Sequence, residues 1–501
     1  MIQRSLDRKN VLRDTSFFSG GIYVSQVMFF IRGFLNARIL GPGVYGLWSA
    51  LNIILKYSTF SHLGTFNAMA REIPYENGQG SKNAMDKVRN VALSFSLSAV
   101  LVFSVALLTV TIFLWKRISI AEATGMITIA VLAIVMCLFE FYQTSFIAVK
   151  RFVLISKASV IFPILSVLLT LALVPLIKIY GVYIVSVVIP LLTVLYLYIN
   201  EPLKLRLDFD LKETFRLMKI GFPIMSMGFL DSTITSIAGI LVLSFLGKVS
   251  MGHHSLAILA TTFLMYFPMS IHRTFEPHMY ERYGQTHDIS ELKKYFFKPT
   301  ITMSLLFPVG LACYYTGVKF FMLHFLSDYS VSLYPFIIIL LGRFFLAFSP
   351  TSVAFITSIS KQKFLVPVYL TGISIVALSS LIFINMGLGI VGVSIGLFLS
   401  FFFIGSVIFI YALRHYVRNK IKCLFYLFNL CLPLLYMSVV VFLTEIYMKG
   451  YALNSKAMFS DTGALIMKLV MIFIFSLPLI YIAHKKTGLT KELLGLLRIK
   501  R

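Results

Sequence analysis

The sequence predicts an all-α polytopic membrane protein built from two related helix bundles, and three observations predict it. The chain is 58% apolar and only 13% charged over 501 residues. Its apolar residues gather in repeated windows of about 20, the length that crosses a bilayer core roughly 30 Å thick. Barrel strands would be shorter and would alternate, which these windows do not. The third observation is a repeat. Leu40-Gly41-Pro42-Gly43-Val44-Tyr45-Gly46 separates the first two apolar runs, and Leu246-Gly247-Lys248-Val249-Ser250-Met251-Gly252 separates the seventh and eighth, 206 residues later. Gly78-Gln79 and Gly284-Gln285 recur at the same offset. Self-similarity on that scale implies two bundles joined head to tail, an architecture common among transporters.

Fourteen spans follow in order. Residues 14–39, 44–66, 90–114, 120–148, 153–177 and 179–200 form an N-lobe over 1–200. Arg4, Arg8, Lys9 and Arg13 precede the first span, which is too long for a signal core and has no small-residue cleavage pattern, so it is expected to stay as a resident helix. The segment 201–220 mixes charge with Leu203, Leu205, Leu207, Phe209, Leu211, Phe215 and Leu217, and reads as an interfacial cytoplasmic linker, partly amphipathic from Asp210 onward. Residues 221–246, 252–274, 299–326, 332–358, 364–386 and 388–413 form a C-lobe over 221–413. The remainder, 414–501, holds two further spans at 423–446 and 463–484 and a basic amphipathic tail from Lys485. Gly20-Gly21, Pro163, Pro175, Pro190, Pro223, Pro268, Pro308 and Pro350 are candidate bends, or ordinary close packing. Loops are short throughout, so no extramembrane catalytic domain is expected.

The net charge of +25 invites a nucleic-acid reading, and its distribution opposes one. With both termini in the cytoplasm, 33 of the 45 Lys and Arg fall on the cytoplasmic side, 8 outside and 4 within spans. That is the positive-inside bias of a membrane protein, and the excess charge serves orientation and contact with anionic membrane lipids. No soluble basic domain is present for a nucleic acid. Cys137, Cys313, Cys423 and Cys431 all lie within spans without metal-site spacing, and read as packing residues. The adjacent His253 and His254 point to different helix faces, a poor metal site.

Ionisable residues at membrane depth cost roughly 2.5–3.5 kcal/mol on insertion scales, and they face a cavity or a partner. Lys56 sits near the middle of the second span, too deep to reach an interface. Arg32, next to Gly33 in the first span, either extends outward beside Arg38 or reaches a ligand. Arg343, central in the tenth span, either pairs with a carboxylate or lines a cavity. Arg273 closes the eighth span at its inner mouth. Asp231 opens the polar run Asp231-Ser232-Thr233-Ile234-Thr235-Ser236, whose spacing puts Asp231 with Thr235 on one face and Ser232 with Ser236 on the next. Such a face serves a cation, sugar hydroxyls or a structural bond to Arg32, Lys56 or Arg343. Glu140 and His62 are weaker candidates, since a lone His on an apolar helix more often packs. Lys468 and Glu445 lie near outer span ends, within reach of the interface. The deep set is cation-rich, and guanidinium and ammonium groups suit an anionic cargo, phosphate above all.

Ala37 to Trp48 and on to Gly64, followed by Ala70-Arg71-Glu72-Ile73-Pro74-Tyr75, resembles the polysaccharide flippases of the multidrug/oligosaccharidyl-lipid/polysaccharide superfamily, with O-antigen and capsule repeat-unit exporters the nearest group. Gly221-Phe222-Pro223 through Leu246-Gly247, Gly252 and Pro268 to Pro277 is similar to the second half of the same superfamily. The resemblance implies two six-helix lobes around a V-shaped cavity that opens alternately to each side, with two extra helices able to flank a lipid-tail groove. It implies cavity-facing cations on helices 1, 2 and 8, which are Arg32, Lys56 and Arg273 here. It also implies an undecaprenyl-pyrophosphate-linked oligosaccharide as cargo, the cytoplasmic (inner) membrane of a bacterium as location, and a polysaccharide polymerase and chain-length regulator as possible partners. No cofactor is implied, and coupling to Na⁺ or H⁺ through Asp231 stays open.

Two other readings compete. A cation-coupled multidrug exporter of the same superfamily would prefer acidic cavity residues. A membrane glycosyltransferase or polymerase would display sizeable outer loops bearing catalytic residues. Transport needs no covalent chemistry, so neither a nucleophile nor a catalytic metal is expected.

Overall fold

Why fourteen spans appear as fewer, longer helices is decided at two glycines. A computed structural model describes residues 8–200, 206–454 and 461–487. Among them twelve helical stretches are long and apolar enough to cross a membrane. Two are far too long for one crossing: Gly20–Ser58 has 39 residues and Leu211–Met269 has 59. At 1.5 Å per residue these are about 58 and 88 Å, against a core of roughly 30 Å. Each bends once at a glycine with extended, left-sided backbone, Gly41 (φ 73°, ψ 169°) in α1 (Arg8–Ser58) and Gly247 (φ 81°, ψ −178°) in α7 (Leu211–Leu264). That conformation is open to glycine and strained for any residue with a Cβ. Dividing both stretches at their bends restores the fourteen crossings, and no described residue lies in a strand. The chain is an all-α, multi-pass membrane protein.

The second bend of each repeat is also shared. Past the first kink, α1 ends at Ser58 and α2 (Thr65–Gly78) restarts through Leu63 and Gly64, both at positive φ. Past the other, α7 ends at Leu264 and α8 (Tyr266–Thr286) restarts at once. The remaining helices are α3 (Lys82–Leu114), α4 (Ile120–Ala148), α5 (Phe152–Ile177), α6 (Ile179–Asn200), α9 (Lys293–Phe325), α10 (Leu333–Ala347), α11 (Ser349–Ser358), α12 (Leu365–Asn385), α13 (Gly389–Leu413), α14 (Lys420–Asn454) and α15 (Asp461–Thr487). The span expected at 332–358 is two helices, because Pro350 stands at the start of α11 and cannot continue α10. The other expected proline bends do not break their helices: Pro163, Pro175, Pro190, Pro223 and Pro308 all lie inside continuous ones. Neighbouring helices supply enough packing to hold the helix across a missing N–H.

The chain divides into two compact units, residues 1–256 and 257–501, so the division falls inside α7 and not at the 201–220 linker. In the first unit, α1 packs along α5, and α4 packs against α3 and α6. Their shared core includes Phe66, Met69, Phe141, Phe146 and Leu197. In the second unit, α13 packs with α10 and α12, while α9 packs with α14 and α15.

The described part of the linker is pinned to α3. Arg206 N donates to Asn90 Oδ1 at 3.2 Å, and Asp208 N donates to Ser94 Oγ at 2.7 Å. Asp210 then starts α7: its Oδ1 accepts from Glu213 N at 3.0 Å, a helix N-cap. Lys87 Nζ lies 2.7 Å from Asp210 Oδ2, and this bond, helped by the cap, holds the Asp210 carboxyl below its usual range. Glu122, one of the two carboxylates in the fourth span, proves to be a capping residue. Ser119 Oγ accepts from Glu122 N, and Glu122 Oε2 accepts from Ser119 N at 2.8 Å, a reciprocal box at the first turn of α4.

The two glycine bends meet. A Cβ placed on Gly46 would fall on the Lys248 carbonyl and the Gly252 nitrogen, and one placed on Gly252 would fall on the Pro42 carbonyl. Positions 42 and 248, and 46 and 252, are equivalent in the repeat. The contact is therefore reciprocal, residue i on j′ and j on i′, the signature of a local two-fold axis. Only glycine permits backbones so close, as in other tight membrane helix crossings. Lys248 also pairs with Glu122 beside this contact.

Candidate functional site

The polar run of α7 is where a deep cation and polar oxygens come together. Lys56 Nζ donates to the Ser232 carbonyl and to Thr235 Oγ1, each at 3.1 Å. Thr235 Oγ1 and Ser236 Oγ donate to the same carbonyl, at 3.2 and 2.9 Å. Three donors thus converge on one oxygen with two lone pairs. Asp231 precedes that carbonyl by one residue and is exposed at mid-span. The aromatic rings of Tyr57 and Phe60 pack edge-on against Phe229, one turn below Thr233, with centroids 5.8 and 5.3 Å apart. The arrangement offers an ammonium, a carboxylate, hydroxyls and aromatic edges within two turns of two helices.

Arg32 turns toward α6: its Nη2 donates to Ser186 Oγ at 2.7 Å, so the side chain does not extend outward beside Arg38. Its Nε is buried without a hydrogen-bond partner, as is Oδ1 of Asn36 one turn along. Asn36 escaped the sequence reading, although its i, i+4 spacing from Arg32 puts both on one face. Arg343 donates through Nη2 to Thr262 Oγ1 at 3.2 Å, and its guanidinium carbon stands 4.8 Å from the centre of the Phe401 ring. This is a cation–π seat. Arg273 lies in α8, and its side chain is outside the described residues.

The weaker candidates meet each other. His62 Nδ1 accepts from Gly64 N at 2.9 Å, which leaves its Nε2 toward Glu140 Oε1 at 3.7 Å, and the ring stacks on Phe66. His62 thereby secures the turn between α1 and α2. Lys468 and Glu445 do not reach separately for the interface. Glu445 takes Lys319 at 2.9 Å and Lys468 at 3.2 Å, a three-member cluster at one end of α9, α14 and α15. Such a cluster joins three helices and has no signature within any one of them.

The fold is similar to that of several solved transporters. A solved structure of the lipid II flippase MurJ in an inward closed conformation matches with a TM-score of 0.66 and 16% identity, covering 93% of this chain and 98% of the other. An inward-facing multidrug resistance MATE family transporter of the MOP superfamily matches at 0.54 and 15%, over 82% of this chain and 96% of the other. A MOP superfamily transporter from Pyrococcus furiosus, described as having a binding pocket of reverse polarity, matches at 0.54 and 12%, over 82% and 96%. No family model and no curated protein matches the sequence. The chain shares its fold with these solved transporters.

Proposed function

We propose that the chain is a flippase that carries an undecaprenyl-pyrophosphate-linked oligosaccharide across the bacterial cytoplasmic membrane by alternating access. The observation that carries this reading is Lys56, a mid-span ammonium held by the neutral oxygens of Ser232 and Thr235. Phosphate oxygens are stronger partners for it than either, because with both donor and acceptor ionised the attraction of opposite charges adds to the hydrogen bond. The span cations Arg32 and Lys56, with Arg273 at the inner mouth, support an anionic head group, and the flippase among the compared structures aligns with nearly all of the chain. The positive-inside bias supports a cytoplasmic location for both termini. An inside-negative potential then favours outward movement of negative charge, by about 2.3 kcal/mol per charge per 100 mV.

In this cycle Lys56 holds the pyrophosphate, hydroxyls and aromatic edges around Thr235 and Phe229 meet the sugars, and the lipid tail stays in the bilayer. A second reading, export of organic cations coupled to Na⁺ or H⁺, is favoured by the exposed carboxylate of Asp231 and by the multidrug transporters of like fold.

The test is transport in proteoliposomes. A labelled lipid-pyrophosphate oligosaccharide is expected to cross with the wild type and not with Lys56→Ala of equal thermal stability. Cationic dye efflux that depends on Asp231, with no glycolipid movement for several glycan heads, would sink the flippase reading in favour of the exporter.

A further inference from the structure

In the first unit, the turn between α1 and α2 is held by a side chain that can change its charge. His62 is buried, with its ring stacked on Phe66 at 5.0 Å between centroids. Because Nδ1 accepts the Gly64 N–H, the proton of the neutral ring sits on Nε2. Nε2 faces Glu140 Oε1 across 3.7 Å, too long for a hydrogen bond and within reach of an ion pair. The Glu140 side chain is 36% exposed, so the pair has one enclosed end and one accessible end.

The charged ring cannot keep the turn as the neutral ring does. An imidazolium carries hydrogen on both nitrogens, so its Nδ1–H would meet the Gly64 N–H, donor against donor. That bond must open, while the cationic Nε2–H gains a charge-assisted bond by closing on the Glu140 carboxylate. The turn is sensitive to the loss, since Leu63 and Gly64 both stand at positive φ, 43° and 90°, a region costly for leucine. Its far side touches α7. A Cβ on Gly64 would fall on the Gly221 carbonyl carbon and the Phe222 nitrogen, and one on Gly221 would fall on the Gly64 carbonyl. With backbone against backbone, a turn that moves also moves its seat on α7.

The surroundings leave Glu140 as the partner of the charged ring. Among the described residues it is the carboxylate within ion-pair reach of His62, and Cys137 stands one turn away from it on α4. Lys56 of α1 is bonded to α7, and Glu72 of α2 is paired with Arg216 of α7 at 2.7 Å. On α3, Arg89 pairs with Asp86 and Lys87 with Asp210. Arg71, Lys157 and Lys219 are exposed, and α6 carries no Lys, Arg, His, Asp or Glu.

We infer that the His62–Glu140 pair is a proton-binding site, and that a proton taken up at His62 releases the α1–α2 turn from the ring. Nothing in the pair depends on which cargo is carried. The device turns a change of proton concentration into a change of backbone at the contact of Gly64 with Gly221.

Hydrogen exchange at the Gly64 amide of the full chain in detergent, corrected for intrinsic exchange, tests it between about pH 8 and about pH 5, where imidazole groups titrate. Wild-type protection is expected to fall by about fivefold as pH drops, the factor that one hydrogen bond of ordinary net strength supplies. His62→Asn keeps an acceptor near the Nδ1 position and cannot take up the proton, so its protection should stay flat. Glu140→Gln folds around the same turn but lacks the carboxylate that receives the imidazolium, so the loosening should need a more acid medium. Asp210→Asn, which removes an acid-sensitive cap elsewhere on α7, should respond as wild type does. Wild-type protection that stays flat over this range overturns the inference, as does a pH response in His62→Asn equal to that of wild type. A Glu140→Gln response identical to wild type removes Glu140 from the site and overturns the pair.

Discussion

Lys56 and Arg343 each place a positive charge deep in a span, and their surroundings differ in kind. Lys56 is held by a backbone carbonyl and a hydroxyl, next to an exposed carboxylate and a polar helix face. Arg343 is seated against the face of Phe401, itself only 2% exposed, and bonds to the Thr262 hydroxyl. Polar oxygens can be exchanged for those of a ligand at modest cost, whereas leaving an aromatic seat opens a void in a packed core. Depth alone therefore does not mark a transport residue. In the proposed function the first cation acts on cargo, whereas the second holds α10 against α13.

The sharpest way to break this contrast is to truncate both. Lys56→Ala should abolish glycolipid transport while shifting the melting temperature little. Arg343→Ala should lower the melting temperature, losing about 1–2 kcal/mol of cation–π stabilisation, with transport per folded molecule retained. Flux in proteoliposomes beside a thermal melt separates the two, and the reverse pattern would exchange their roles. Next in size is the local two-fold contact. Gly46→Ala and Gly252→Ala should each cost about 1–3 kcal/mol, by forcing apart backbones already in contact, and by similar amounts because the positions are equivalent. Unequal losses would show that the symmetry is only geometric.

The smallest effect is one of pH. Lys87 holds the Asp210 carboxyl below its usual range, so the contribution of this cap is complete above that range and is lost as pH falls through the lowered value. Hydrogen exchange at the Glu213 amide should quicken over that acid window in the wild type and be pH-independent, apart from intrinsic exchange, in Asp210→Asn.

The comparison also explains what could be read in advance. The span boundaries at Gly41 and Gly247 were legible because the glycines recur at a fixed offset between apolar runs. The depth of Lys56 and Arg343 was legible from the apolar residues around them. Their partners were not, since Ser232 lies 176 residues from Lys56 and Thr262 lies 81 from Arg343. Helix order does not say which faces meet. The pairing of Glu445 eluded the reading for the same reason, as its two lysines come from other helices. Of the two readings left open for the intra-span prolines, bends or close packing, most lie inside continuous helices, because a membrane helix has no water to compete for its remaining hydrogen bonds and continues unless packing gives it cause to stop.

The reciprocal glycine contact has a kinetic consequence. Gly46 on the Lys248 carbonyl and Gly252 on the Pro42 carbonyl are related by one axis, so any rigid separation of α1 from α7 at that end disrupts both together. A half-parted arrangement would lose backbone packing on each side and gain nothing in return. Duplication has thus given this junction the character of a cooperative latch, either seated or released, with few states between.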